Sequence, residues 1–113
     1  PSDRQERLFL LAFSLQRIRD HICEVTCVER PVTVISAYRD LEYNRKIGSN
    51  DTSRHVYGNA ADIRVEGMTP SEVYEIVEDM IGGGLIPQGG LGLYRKSNFV
   101  HYDTRGFEAR WEG

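Results

Sequence analysis

The stretch Ala61-Asp62-Ile63-Arg64-Val65-Glu66-Gly67-Met68-Thr69-Pro70-Ser71-Glu72 changes its period midway. Up to Glu66, apolar Ala61, Ile63 and Val65 alternate with Asp62, Arg64 and Glu66. That is the period of two of a half-buried strand with one polar face. Thr69 then offers an N-cap oxygen, Pro70 the first helical position and Glu72 the N3 carboxylate, so a helix starts there. Val73, Ile76, Val77 and Met80 give that helix one apolar stripe, and Gly82-Gly83-Gly84 stops it. The triple glycine is no phosphate loop, because no Lys-Ser/Thr follows and no helix begins after it.

Upstream, Pro31 closes a connection, and the β-branched run Val32-Thr33-Val34-Ile35 is expected as a core strand leading into Ser36-Ala37-Tyr38-Arg39. Earlier still, Ser2 with Gln5 forms a capping-box start, and Leu8, Leu11, Ala12, Leu15, Ile18 and Ile22 recur at helical spacing. A helix over about residues 3–24 follows. Downstream, residues 90–95 and 99–103 read as two strands about a Lys96-Ser97-Asn98 turn. This order predicts an α+β fold, two helices packed on one face of a mainly antiparallel sheet, in a single domain over residues 1–113.

Fourteen Lys plus Arg against 17 Asp plus Glu leave a net charge of −3, which argues against nucleic acid or an anionic membrane as main partner. With 40% hydrophobic and 27% charged residues the chain is globular rather than disordered. The longest apolar run, residues 8–13, is too short for a bilayer span or a secretory h-region. The chain starts at Pro1 without a Met and is read as a processed or excised piece. Cys23 and Cys27, four apart at the end of the first helix, are expected to be small buried hydrophobes; they are too few for a disulfide framework and do not reveal the compartment.

Residues 40–59 are polar and without period, an irregular stretch of the kind that carries function in small domains. It holds His55. Asp62 projects from the polar face of its strand, and Phe99, His101 and Asp103 share a face of theirs. Two imidazoles and a carboxylate, with a fourth position open, make the ligand set of a catalytic zinc site; the spacing alone fits scattered structural residues as well.

Surrounding residues narrow this. Ser53-Arg54-His55-Val56-Tyr57-Gly58-Asn59-Ala60-Ala61-Asp62 resembles the Ser-x-His-x-x-Gly-x-Ala-x-Asp motif of the zinc D-Ala-D-Ala carboxypeptidase family, whose fold is shared with hedgehog-type domains. Ser36-Ala37-Tyr38-Arg39 is similar to that family's Ser-Gly-Tyr-Arg segment. Gly89-Gly90-Leu91-Gly92-Leu93-Tyr94 and Phe99-Val100-His101-Tyr102-Asp103-Thr104-Arg105 resemble its closing strands, followed by Ala109-Arg110-Trp111.

The resemblance implies that His55, Asp62 and His101 hold zinc and that Arg39 faces the substrate, on an oxyanion or a terminal carboxylate. Tethering the long loop through Asp40 or Asp51 is the alternative for Arg39. Ser53 either hydrogen-bonds substrate or caps the turn that aims His55. Tyr38 either lines the substrate cleft or packs. Better-known branches carry an acidic general base three positions before the last His ligand, where this chain has Asn98, which cannot accept the proton. Asp103, about 6–7 Å along the strand from His101, is the expected substitute; orienting a ligand imidazole or pairing with Arg105 or Arg110 is the competing role. Trp111 is expected to pack the C-terminal tail on the sheet.

The resemblance thus implies a zinc metallopeptidase acting on an amide next to a D-amino acid in peptidoglycan stem peptides, as carboxypeptidase or endopeptidase. It would work as a monomer, in the periplasm, outside the cell or as a phage lysin. The alternatives are a zinc-binding module of weak or no activity that recognises cell wall or a partner, and a plain α+β domain without metal.

Overall fold

Alternation along β2 (Ala60–Val65) buries Ala61, Ile63 and Val65 on one face of the sheet and turns Asp62 and Arg64 to the other. The computed structural model describes residues 3–36 and 60–113. Before β2 come α1 (Asp3–Thr26) and β1 (Val32–Ser36); after it come α2 (Pro70–Gly82), β3 (Gly90–Tyr94), β4 (Phe99–Asp103) and β5 (Ala109–Glu112). The expected loop over residues 40–59 and the Ser2 cap lie outside the described residues, as do Arg39, Tyr38, Ser53 and His55.

The strands form one sheet in the order β1-β2-β4-β3-β5. Every pairing is antiparallel except β3 with β5, which run parallel. The fold is α+β, two helices on a mainly antiparallel sheet. Leu11, Ile18 and Ile22 of α1 and Val73, Val77, Met80 and Ile81 of α2 meet Ala61, Ile63, Val65, Leu91, Leu93, Val100 and Tyr102 of the sheet in one apolar cluster. Each fully buried aliphatic side chain there contributes about 1.5–3 kcal/mol. The start of α2 is the predicted capping box: Glu72 N donates to Thr69 Oγ1 at 3.2 Å, and Thr69 N donates to Glu72 Oε1 at 2.9 Å.

Three readings are corrected. Among the described residues β1 is an edge strand rather than a core strand, pairing with β2 alone, and Val34 and Ile35 are exposed. Cys27 is exposed and stands in the left-handed region at φ 57°, where α1 has ended, so only Cys23 is partly covered; both thiols are free. A fifth strand, β5, extends the sheet past the two closing strands expected. Arg110 holds it against α2 through a forked pair with Glu78, 2.8 Å on each arm.

A register shift between Val34 and Ser36 makes Ile35 an extra residue opposite β2. Such a bulge changes the phase of a strand, and it brings Ser36 opposite Asp62.

Candidate active site

The sheet face away from the helices carries one cross-strand row: Ser36, Asp62, His101, Gly92 and Trp111 are successive register partners across β1, β2, β4, β3 and β5. The period of two sets Asp62 and His101 on the same face. His101 Nδ1 lies 3.1 Å from Asp62 Oδ1. Its other nitrogen, Nε2, lies 2.8 Å from Asp103 Oδ2.

Asp103 is fully buried and tightly held. Oδ1 accepts from Gly90 N at 2.9 Å, Arg105 N at 3.1 Å and Arg105 Nε at 2.8 Å; Oδ2 accepts from an Arg105 terminal nitrogen at 2.6 Å and from His101. Burial alone would raise its pKa. The hydrogen bonds from His101, Arg105 and the two backbone N–H groups outweigh that and hold the carboxyl well below the usual range. Gly90 is required by this close approach, since a Cβ there would meet Asp103 Oδ2 and the Arg105 guanidinium.

An ionised carboxylate only accepts, so His101 Nε2 carries the proton it shares with Asp103. His101 Nδ1 then faces Asp62 either as a lone pair toward a carboxylate oxygen, which requires a cation between them, or as the N–H of an imidazolium. Burial pulls the His101 pKa down, but Asp103 and Asp62 more than offset it and push it up.

This donor set fits zinc. Ligand bonds of about 2.0–2.1 Å in tetrahedral array set two ligand atoms about 3.3 Å apart, close to the Asp62–His101 separation. The Nε2–Asp103 bond is of the kind that fixes the tautomer of a histidine that binds metal. Among the described residues no group of three His, Cys, Asp or Glu side chains is placed to hold an ion, and the expected third ligand, His55, lies outside them.

Asn98 is part of the β3–β4 turn, exposed, at φ 56°, a conformation that Asn tolerates well. Arg64 Nε donates to its carbonyl at 2.9 Å. Sequence reading missed the row's far end, where Trp111 lies beside His101 with ring centroids 5.0 Å apart. The spacing of Trp111 from Gly92 carries no local signal, because the pairing of β5 with β3 joins segments far apart in the chain. The competing role read for Asp103 is the one its contacts show: it pairs with Arg105 and bonds His101, while Arg110 pairs with Glu78.

A family profile described as Peptidase M15 matches residues 3–103. The peptidoglycan L,D-endopeptidase MepK of Escherichia coli (strain K12) is 35% identical over 80 residues, covering 66% of this chain and 41% of MepK. The probable peptidoglycan L,D-endopeptidase MepK of Haemophilus influenzae is 32% identical over 87 residues, covering 73% of this chain and 43% of that protein. The chain thus spans about two fifths of the length of the curated relatives it matches. No solved structure gives a significant match. With a profile that runs through both helices, Asp62, His101 and Asp103, the chain belongs to the peptidase M15 family.

Proposed function

We propose that this chain is a zinc-dependent peptidase domain that cuts peptidoglycan peptides, and that it does so as an endopeptidase. The observation that carries the reading is His101, clamped through Nε2 by a buried carboxylate and presenting Nδ1 to Asp62 at 3.1 Å. Asp62 and His101 would hold the ion together with His55. When bound, zinc polarises the scissile carbonyl and brings the pKa of its water toward ~7.

The residues of this chain supply the rest. Asp103 keeps the Nε2 proton in place and so leaves Nδ1 as the ligand atom. The general-base role expected of Asp103 is not what its surroundings support. Both its oxygens are taken by hydrogen bonds, and a proton there would cost the Arg105 pair. Arg105 holds that carboxylate ionised. Arg39 is proposed to bind the oxyanion or a substrate carboxylate, with Ser53 and Tyr38 beside it.

The relatives named L,D-endopeptidase favour a bond on the N-terminal side of a D residue inside a stem or cross-link, over release of a terminal D-Ala. The substrate lies outside the cytoplasm, so the proposed working place is the periplasm or the cell exterior. Among the described residues no helix is long and apolar enough to cross a membrane.

The test is digestion of purified cross-linked muropeptides by the zinc-loaded protein, with products identified by mass. New fragments on either side of an L,D bond support the endopeptidase reading; free D-Ala alone supports the carboxypeptidase. A second reading, a zinc-binding wall module without turnover, is favoured by Asn98 in its turn and by the engagement of Asp103. Intact muropeptides that remain bound to zinc-loaded protein would establish it.

A further inference from the structure

We propose that Trp111 is a positioning residue of the proposed zinc site, fixing the plane of the His101 imidazole; the inference rests on the reading of that site given above. Gly92 stands between His101 on β4 and Trp111 on β5 in register. Without a side chain at Gly92, the indole and the imidazole reach over it to a centroid separation of 5.0 Å, tilted by 50°. A Cβ at Gly92 would strike the indole at Nε1 and Cε2.

The indole is itself held. Its Nε1 donates to Tyr94 Oη at 2.7 Å, and the Tyr94 ring stacks on Phe99 at 4.4 Å and 17°. The Arg105 guanidinium lies over Trp111 at 5.4 Å from the ring centroid and over Phe107 at 5.6 Å. Trp111 thus touches His101 and also the cation that holds Asp103.

Hydrogen bonds at Nδ1 and Nε2 act in the plane of the imidazole and resist small rotations of the ring about χ2 only weakly. A rigid, pinned ring against one face of the imidazole removes that freedom. It also shields the Asp103–Arg105 pair from water, which strengthens the hydrogen bonds it makes. Ligand orientation and outer contacts of this kind are typically worth about 10–100-fold in metal affinity.

Trp111 is the sole tryptophan of the chain, so its emission reports on this contact directly. The experiment titrates zinc into the metal-free protein, following Trp111 fluorescence and, separately, competition with a chelating dye. In the unaltered chain the two midpoints should coincide. Trp111→Ala and Gly92→Ala should weaken zinc binding by about 10–100-fold, with Trp111→Phe recovering most of the loss. Each variant is compared where its unfolding curve shows it folded, and imidazole 15N signals should show more than one His101 environment in Trp111→Ala alone. Emission that zinc at saturation leaves unchanged would overturn the inference without any variant. So would wild-type affinity in folded Trp111→Ala or Gly92→Ala, while leaving the zinc site standing. Failure of the unaltered chain to bind zinc by dye competition would overturn the site and, with it, the inference.

Discussion

Arg105 grips Asp103 through both carboxylate oxygens, at 2.8 and 2.6 Å, and Asp103 in turn holds His101 Nε2 at 2.8 Å. A cation fixes an anion, and the anion fixes an imidazole. The chain of contacts ends at Nδ1, the atom turned toward Asp62.

Asp103→Asn separates the two roles considered for this residue. Removing one partner of a buried pair costs about 3 kcal/mol or more, here by leaving Arg105 without its counter-charge. Zinc affinity should also fall about 10–100-fold, because the tautomer of His101 is no longer imposed. Urea unfolding and dye competition measure the two effects. Unchanged zinc affinity with lost turnover would instead mark Asp103 as the base.

Gly90→Ala tests the same pair from the backbone side. The added methyl meets Asp103 Oδ2 and Arg105, so the variant should lose about 1–3 kcal/mol. Gly82→Ala is its control. Nothing lies within 4 Å of that Cβ, and the residue ends a helix, so stability should rise by up to about 1 kcal/mol. Thermal unfolding of both variants checks the contrast.

Stability of the metal-free protein should depend on pH in two arms. Asp103 is depressed, so its contribution is present above the unfolded value of about 4 and is lost as pH falls below it. His101 is raised, so its contribution is present below about 6.5 and is lost as pH rises through the folded value. Urea midpoints from pH 3 to 9 should peak between roughly 4 and 6.5 for these two groups. Asp103→Asn should remove the acid arm. Saturating zinc should remove the alkaline one, since the metal takes the neutral imidazole.

Thr69→Ala removes the cap that starts α2 and should cost about 1 kcal/mol without altering zinc affinity. A parallel loss of zinc binding in a folded Thr69→Ala would mean that the site is coupled to the helix in a way its contacts do not show.

Much of this was legible in the sequence because it is local. The alternation of residues 61–66 and the Thr69-Pro70-Ser71-Glu72 start depend on near neighbours, and the structure returns both. Asp62 and His101 were legible as residues of polar strand faces, but their meeting depends on the β2–β4 register. The edge position of β1 was hidden, since a β-branched run suits a central strand and an edge equally. β5 was hidden because Ala109-Arg110-Trp111-Glu112 is short and lacks β-branched residues, and what orders it is distant in the chain: parallel pairing with β3 and the Arg110–Glu78 fork to α2. For Asp103 the sequence left the base role and a pair with Arg105 or Arg110 both open, because two-residue spacing to Arg105 does not by itself reveal a forked pair.

The most direct test of the account is zinc per chain in protein purified without added metal, for the unaltered sequence and for His55→Ala and Asp62→Ala. Close to one zinc per unaltered chain, lost in both variants, is the predicted result. No zinc in the unaltered chain, even after zinc is supplied and excess removed, would contradict the zinc site and the peptidase mechanism built on it.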